Sequence, residues 1–458
     1  MLKSPCLPHV NSLFLRIGLV VLFSLIQHGL VSAVIRDGQI DPTINVSPIS
    51  VGSGGMIRCF AQLPDGKILV GGGISNISGN AVSNIARLNA DGSFDPSFHS
   101  AANNSVLRIF VLDNAKILIS GDFLQYDGVA RNRIARLNAD GTLDQTFSPN
   151  FGSDYVQIVA VQPDGKIIVN GTFLSIGGVP RSRVARLNAD GSLDLTFDVG
   201  TGTNNAGVNK ALVQSDGKML FAGRFSSYNG VARNGVVRIN ADGSLDTSFV
   251  PGIGGDSNEF FDMSLTSDGK LYIVGYNTGD SEIFRLNTDG SIDTTFNTGN
   301  ATTANGGYIY SVLAQPDGKV IIGGGFDGFF INGGINIRYR LFRFNSNGSV
   351  DTTFTAQAGS SFSSGNVWAL ALQNDNKILV GGDFPQLNGT FRGGIGRLNL
   401  DSSLDTSFTG FFGSLTNINF FYLYPNGKML VGGGFDSIGA SFGKYLARLN
   451  ADGSIDSS

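Results

Sequence analysis

Arginine and aspartate recur through this chain at a fixed offset of eight residues. The pairs are Arg87 and Asp95, Arg136 and Asp144, Arg186 and Asp194, Arg238 and Asp246, Arg285 and Asp293, Arg343 and Asp351, Arg397 and Asp405, and Arg448 and Asp456. Opposite charges at this spacing suit an ion pair across a tight hairpin, a structural task and not a catalytic one. Acids that break the pattern are few: Asp256, Glu259 and Asp262, then Asp280 and Glu282. A glycosidase or lyase would need singular carboxylates of this kind, but loop acids in water are the simpler reading. His99 is the only histidine after His28, which removes imidazole clusters and most Ser-His or Cys-His arrangements. The run Asn89-x-Asp91-Gly92-x-x-Asp95 resembles part of a calcium loop. Aligned on its glycine, however, it places Arg87 and Phe98 where oxygen ligands belong. No catalytic residue, metal or cofactor is expected, and no enzymatic activity.

Those residues sit in a repeat. The run Arg-(Leu/Ile/Phe)-Asn-x-(Asp/Asn)-(Gly/Ser)-(Ser/Thr)-x-Asp begins at Arg87 and returns seven more times, ending with Arg448. A period of about 50 residues over nearly the whole chain means one small unit copied many times. A second motif, clearest as Gln162-Pro163-Asp164-Gly165-Lys166 and Gln315-Pro316-Asp317-Gly318-Lys319, has the chemistry of a three-residue hairpin loop with a bulge at its glycine. Short β-branched runs such as Ile158–Val161 and Ile167–Val169 flank it and read as strands. Four antiparallel strands, a to d, follow for each unit, which is the size of a β-propeller blade. The chain is expected to be all-β, a propeller of about eight four-stranded blades, with seven blades as the alternative. Strand alternation places Leu88, Phe94 and Phe98 on one face and Arg87 with Asp95 and Ile85 on the other.

The order Gln-Pro-Asp-Gly-Lys-Ile-(Leu/Ile)-Val-x-Gly-x-Phe, then Ala-Arg-Leu-Asn-Ala-Asp-Gly-Ser-Leu-Asp-x-(Ser/Thr)-Phe, resembles the delta-60 repeat family of secreted bacterial β-propeller proteins. The resemblance covers about residues 37 to 458 and implies no established activity and no catalytic residues. Three turns depart from it: Asp113-Asn114-Ala115-Lys116, Asn374-Asp375-Asn376-Lys377 and Leu400-Asp401-Ser402. Ala and Ser tolerate a left-handed backbone poorly, so looser hairpins, or hairpins of another type, are expected there.

Residues 1–33 read as a secretory signal, with Lys3 and Arg16, an apolar core Ile17–Ile26 and small residues at Val31-Ser32-Ala33. The remainder, 34–458, is expected to be the propeller, exported to the bacterial surface or beyond it, with no membrane span once the signal is cut. Removal of residues 1–33, which hold no Asp or Glu, takes the formal charge from −4 to −6. With no basic cluster, nucleic acid is not an expected partner. Cys6 leaves with the signal and Cys59 stands alone, so no intramolecular disulfide is expected. Asp37–Val46 reads as a d strand without a preceding c strand, the piece that strand exchange would use to close the ring. The stop at Ser458, just short of the repeat's last Phe, predicts a natural chain that continues.

In an up-and-down blade the a–b and c–d turns share one face of the disc and the variable b–c and d–a loops the other. Recognition concentrates on such loops, so an unknown protein or glycan partner is expected on the loop face of a monomer. Tyr126 and Tyr228 align with Ile77, Ile176 and Ile438 and read as packed apolar positions. Phe329 and Phe330, within the blade 6 insertion 326–339, and Phe411 and Phe412 have no equivalents in the repeat and are the candidate contact surface. The expected function is a non-catalytic binding or adhesion scaffold; the alternative is a propeller hydrolase or lyase acting on polysaccharide.

Overall fold

In a computed structural model of the protein, the described residues run from 56 to 456, with short interruptions of which 254–258, 360–364 and 409–416 are the longest. The expected signal, the strand expected at Asp37–Val46, and the candidates Phe411 and Phe412 lie outside them, as does Asp256. Eight three-stranded antiparallel sheets form the body. Their first strands, a, are Met56–Gln62, Val106–Val111, Val156–Val161, Gly207–Val213, Glu259–Leu265, Ile309–Ala314, Val367–Leu372 and Asn417–Leu423, for blades 1 to 8. From blade 1 to blade 8 each a strand touches the a strand of the next blade, so the a strands line the axis. Strand a of blade 1 packs on the middle strand of blade 8, Met429–Gly434, and the ring closes.

Burial explains the sequence of the middle strands. Ile117–Gly121 and Ile167–Gly171 are buried at every position, because a neighbouring blade covers each face of the sheet. They therefore read as continuous apolar runs without alternation. The core is divided into eight clusters, one at each blade interface; Phe60 and Ile68 of blade 1, for example, pack with Tyr422 and Leu430 of blade 8.

The c–d hairpin has the register the repeat implies. In blade 2 the Asn138 amide donates to Thr142 at 2.8 Å, Leu137 bridges Leu143, and the Asp144 amide donates to Arg136 at 2.9 Å. Gly141 has φ of +87°, and a Cβ there would meet the His99 backbone of blade 1 within 2.3 Å, so both conformation and contact require glycine. Strand d is a single bridging residue in each blade. The chain then turns, because Oδ1 of the Asp accepts the amide and hydroxyl of the Ser or Thr two residues on, at 3.0 and 2.6 Å for Thr146.

That turn corrects the expected position of Phe98. Alternation fails across it, and the ring joins Ile85 on the face opposite Leu88 and Phe94, with the Arg87 guanidinium 5.1 Å above its centre. The unusual turns are also corrected. Ala115, Asn376 and Ser402 take φ of 59°, 62° and 75°, the same left-handed geometry as glycine elsewhere, with the same closing hydrogen bonds. The strands on either side impose the turn whatever residue fills it, as the Leu112–Lys116 and Gln373–Lys377 bonds show.

Candidate functional site

Two repeated motifs converge on one carboxylate in each blade. The Arg Nε of strand c lies 2.7–2.8 Å from Asp Oδ2 in blades 1 to 7, and Arg448 pairs with Asp456 in blade 8. The Lys that ends the a–b turn reaches the same Oδ2 at 2.5–2.9 Å, from Lys67 to Lys428. These lysines lie 23 to 32 residues before their Asp. Sequence reasoning missed them, although their recurrence after every a–b turn was a usable signal.

Each Arg also stacks on the Phe eleven residues later, at 4.5–5.1 Å in blades 1 to 7. Its far nitrogen donates to the c–d turn of the next blade, as Arg238 does to the Thr288 carbonyl at 2.6 Å and Arg343 to Leu400 at 2.8 Å. In blades 1 to 7 burial acts to raise the Asp carboxyl, but hydrogen bonds from Lys and from Ser or Thr, together with the Arg, outweigh it and hold the pKa well below the usual range. The node ties the c–d hairpin to the a–b turn within its own blade and, through one Arg nitrogen, to the next blade, which is a structural role.

The proposed aromatic surface changes. Phe329 is fully buried, 4.8–5.9 Å from Phe326, Phe342 and Phe344, and is a packing residue. Its neighbour Phe330 is 46% exposed. Both lie on the strand Gly328–Ile331, in which successive side chains point to opposite faces, so the two rings could not both face solvent. Phe330 is paired with Ile335 across the insertion hairpin, and Ile335 and Ile337 are exposed beside it. Tyr126 and Tyr228 are fully buried, their hydroxyls donating to the Gly141 and Gly243 carbonyls at 2.7 and 2.8 Å. His99 stands apart, 3.3 Å from Asp127 in a half-exposed pair.

The chemically varied part of the molecule is the axial mouth on the loop face. Strand a carries a bulge in each blade, and in blades 1, 2, 4, 5, 6 and 7 the bulged residues are Arg58, Leu107, Asn209, Phe261, Tyr310 and Trp368. The residues that follow are Cys59, Arg108, Lys210, Asp262, Ser311 and Ala369. Among these six blades no two match, whereas the opposite face repeats one turn. A bulge re-aims side chains, here at the axis.

Glu259 and Asp262, expected as loop acids, belong to strand a of blade 5. Asp262 is buried, 3.0 Å from Lys210 of blade 4, and its Oδ2 accepts the Val312 amide of blade 6 at 3.0 Å. Burial pushes Glu259 up, opposed by Arg224 and Asn209. Asp383, at the end of the middle strand of blade 7, is also pushed up by burial, against hydrogen bonds from Asn366. Between these two carboxylates runs a series of rings. Trp368 stacks on Tyr310 at 4.4 Å, Tyr310 on Tyr308 at 6.0 Å, and Tyr308 lies 6.0 Å from both Tyr276 and Phe261.

Across the mouth lie Arg58 and Arg108, both lowered by burial. Asp122 opposes the shift at Arg58, and Tyr155 and Cys59 oppose it at Arg108. Burial pushes the Cys59 thiol far up, which leaves it a poor nucleophile. Among the described residues no three His, Cys, Asp or Glu side chains gather as a metal-ligand set, and no helix is long and apolar enough to cross a membrane. The mouth therefore combines guanidinium groups, raised carboxyls and aromatic faces, a set suited to holding a polar ligand with ring surfaces. Sequence reasoning missed it because its members share no motif.

The family described as "Domain of unknown function (DUF5122) beta-propeller" matches this chain at residues 63–98, 116–147, 162–197, 214–249, 266–296, 315–354, 373–408 and 425–458. No curated protein matches it. Among solved structures, an extracellular domain of a one-component system from B. thetaiotaomicron is 16% identical, with a TM-score of 0.43 over 89% of this chain and 46% of that one. This chain thus spans less than half of that structure. The WD40 β-propeller domain of Doa1 is 14% identical, with a TM-score of 0.41 over 75% of this chain and 94% of that domain. PorZ, a surface component of the type-IX secretion system of Porphyromonas gingivalis, is 12% identical, with a TM-score of 0.37 over 90% and 57%.

Proposed function

The chain belongs to the DUF5122 β-propeller family, and from that premise we propose that it is an exported, monomeric, non-catalytic scaffold that binds a partner on its loop face. One observation carries the reading: the repeats are alike where blades hold one another and differ where strand a meets the axial mouth. Residues that only build and join blades can repeat, as the Lys–Asp–Arg nodes do. Varied side chains on a rigid frame are what recognition uses, and Arg58, Arg108, Tyr276 and Tyr308 are among the ones there that stay partly exposed. Export rests on the signal-like residues 1–33, and the two-motif order of the repeats supports a place among delta-60 propellers of the bacterial surface.

A second reading, a hydrolase or lyase of polysaccharide, has one observation in its favour. Glu259 breaks the repeat, and burial raises its carboxyl and that of Asp383, as a general acid requires. The purified protein should be screened against glycans and cell-envelope fractions. Saturable binding with the ligand recovered unchanged supports the scaffold, and release of shortened glycan products would replace it with the enzyme.

A further inference from the structure

The b–c hairpin of blade 6 is longer than that of blade 2, with strands Gly328–Ile331 and Gly334–Ile337 where blade 2 has Gln125–Tyr126 and Val129–Ala130. Asn336 and Arg338, at its end, share a cleft of about 40 Å³ with the c–d hairpin of the same blade. Arg343, Asp351, Thr352 and Phe354 line the cleft from that side. It is open to solvent, because Thr352 is exposed and Asn336 and Arg338 are partly so. Two residues before the Arg that matches Arg338, blades 2, 3, 4 and 7 carry Val129, Val179, Val231 and Thr390, and only blade 6 among these five places an amide there.

Arg343 brings a spare donor to this cleft. In blades 1 to 5 and 7 the Nη2 of the matching Arg donates to the Ser or Thr two residues after the Asp, at 2.9–3.4 Å. Arg343 gives Nε to Asp351 and Nη1 to the Leu400 carbonyl, each at 2.8 Å, and among the described residues its Nη2 has no partner. Only 3% of Arg343 is exposed, and a buried donor without a partner is costly. Arg338 gives Nη1 to the Ile337 carbonyl at 2.9 Å, which leaves the Nε–Nη2 edge of its guanidinium. The Asn336 amide and the Thr352 hydroxyl are likewise unengaged among the described residues.

The charge around the cleft is positive. Lys319, Arg338 and Arg343 stand against two carboxylates. Asp351 is saturated by Lys319, Arg343 and both donors of Thr353. Asp401 of blade 7 acts on Arg343 as Asp140 does on Arg87, so it is common to the repeat. Asp327, the nearest acid on the hairpin side, is paired with Arg340.

We propose that this rim cleft binds one tetrahedral oxyanion group, a sulfate or phosphate, held by the free edge of Arg338 and by Nη2 of Arg343, with Asn336 and Thr352 on its other oxygens. A cleft that holds one water needs roughly 10–15 Å³, so this one has room for the three terminal oxygens of such a group. A guanidinium edge meets an oxyanion in two parallel hydrogen bonds. The site lies on the outer strands, away from the axial mouth, and goes beyond the scaffold reading: it stands whether or not the mouth takes a partner.

The test is calorimetric titration of the full chain with inorganic sulfate, and then with galactose 6-sulfate and galactose. Sulfate should bind saturably, once per chain, and more weakly as sodium chloride is added. Arg338→Gln should weaken it about tenfold to a hundredfold, the loss expected for a charged hydrogen bond. Asn336→Val, which installs the residue of blades 2 to 4, should weaken it about fivefold, as for a neutral one. Both side chains are partly exposed, and thermal melting verifies that each variant folds. Binding of galactose 6-sulfate but not galactose identifies an ester on a sugar as the source, and binding of sulfate alone identifies the free ion; either result keeps the site. Absence of saturable binding overturns the inference, as do several equivalents per chain, or an affinity that neither variant changes, which would mean an adventitious ion only.

Discussion

Asp246 accepts hydrogen bonds from Lys218, Arg238 and both donors of Ser248. Its side chain is almost wholly buried, so losing the negative charge leaves two cations facing each other in a poorly solvated node. Asp246→Asn should destabilise the fold by about 3 kcal/mol. The sign with pH follows from the lowered carboxyl: its contribution is full above the unfolded pKa of about 3.9 and is lost as pH falls through the folded value. Urea unfolding at neutral pH should therefore show the full gap between variant and parent, and the gap should narrow in acid. An unchanged gap would mean that the charge is not what holds the node. Ala115 tests the turn at the same scale. With φ of 59° it carries a left-handed strain that glycine lacks, and Ala115→Gly should raise stability by about 1 kcal/mol. Ser402→Gly should not, because the Ser402 hydroxyl accepts the Thr355 amide of blade 6 at 3.0 Å. A melting curve that fell for Ala115→Gly would place the strain elsewhere.

The blade 6 insertion shows how an element assigns roles to adjacent residues. Its hairpin pairs Gly328–Ile331 with Gly334–Ile337, and Thr302–Thr303 adds a third strand. Phe329 becomes an inward position of a central strand and Phe330 an outward one. Phe329→Ala should cost about 3–5 kcal/mol, as expected for a large ring removed from a packed core. Phe330→Ala should leave the melting temperature nearly unchanged, since exposed side chains contribute little. Comparable losses in both variants would mean that the hairpin packs on both faces.

At the scale of the whole ring, blades 4 and 5 meet at the Lys210–Asp262 pair beside the axis. Breaking it by Lys210→Met strands a buried carboxylate and should cost about 3–5 kcal/mol, while Lys210→Met with Asp262→Asn, which removes the charge but keeps an acceptor for the Val312 amide, should recover most of that loss. The pair would then be shown to set charge at the mouth without being needed to close the ring. If the double variant is as unstable as the single one, the pair carries the interface itself.

Much of this architecture was local and therefore legible. The c–d hairpin joins residues eight apart, so its turn chemistry and the Arg–Asp offset determined the register, and the repeat of that unit implied blades. Longer-range facts depended on how the blades meet. Lys218 reaches Asp246 from 28 residues upstream, and Phe98 changes face because a turn ends the alternation. Phe329 is inward because its face of the hairpin packs on Phe326, Phe342 and Phe344. The axial mouth is the extreme case. Arg58, Arg108, Lys210 and Asp262 lie 50 to 102 residues apart, each in a different blade, and carry no shared motif that spacing could reveal. Only closure of the ring, which turns every a strand toward one axis, brings their charges together.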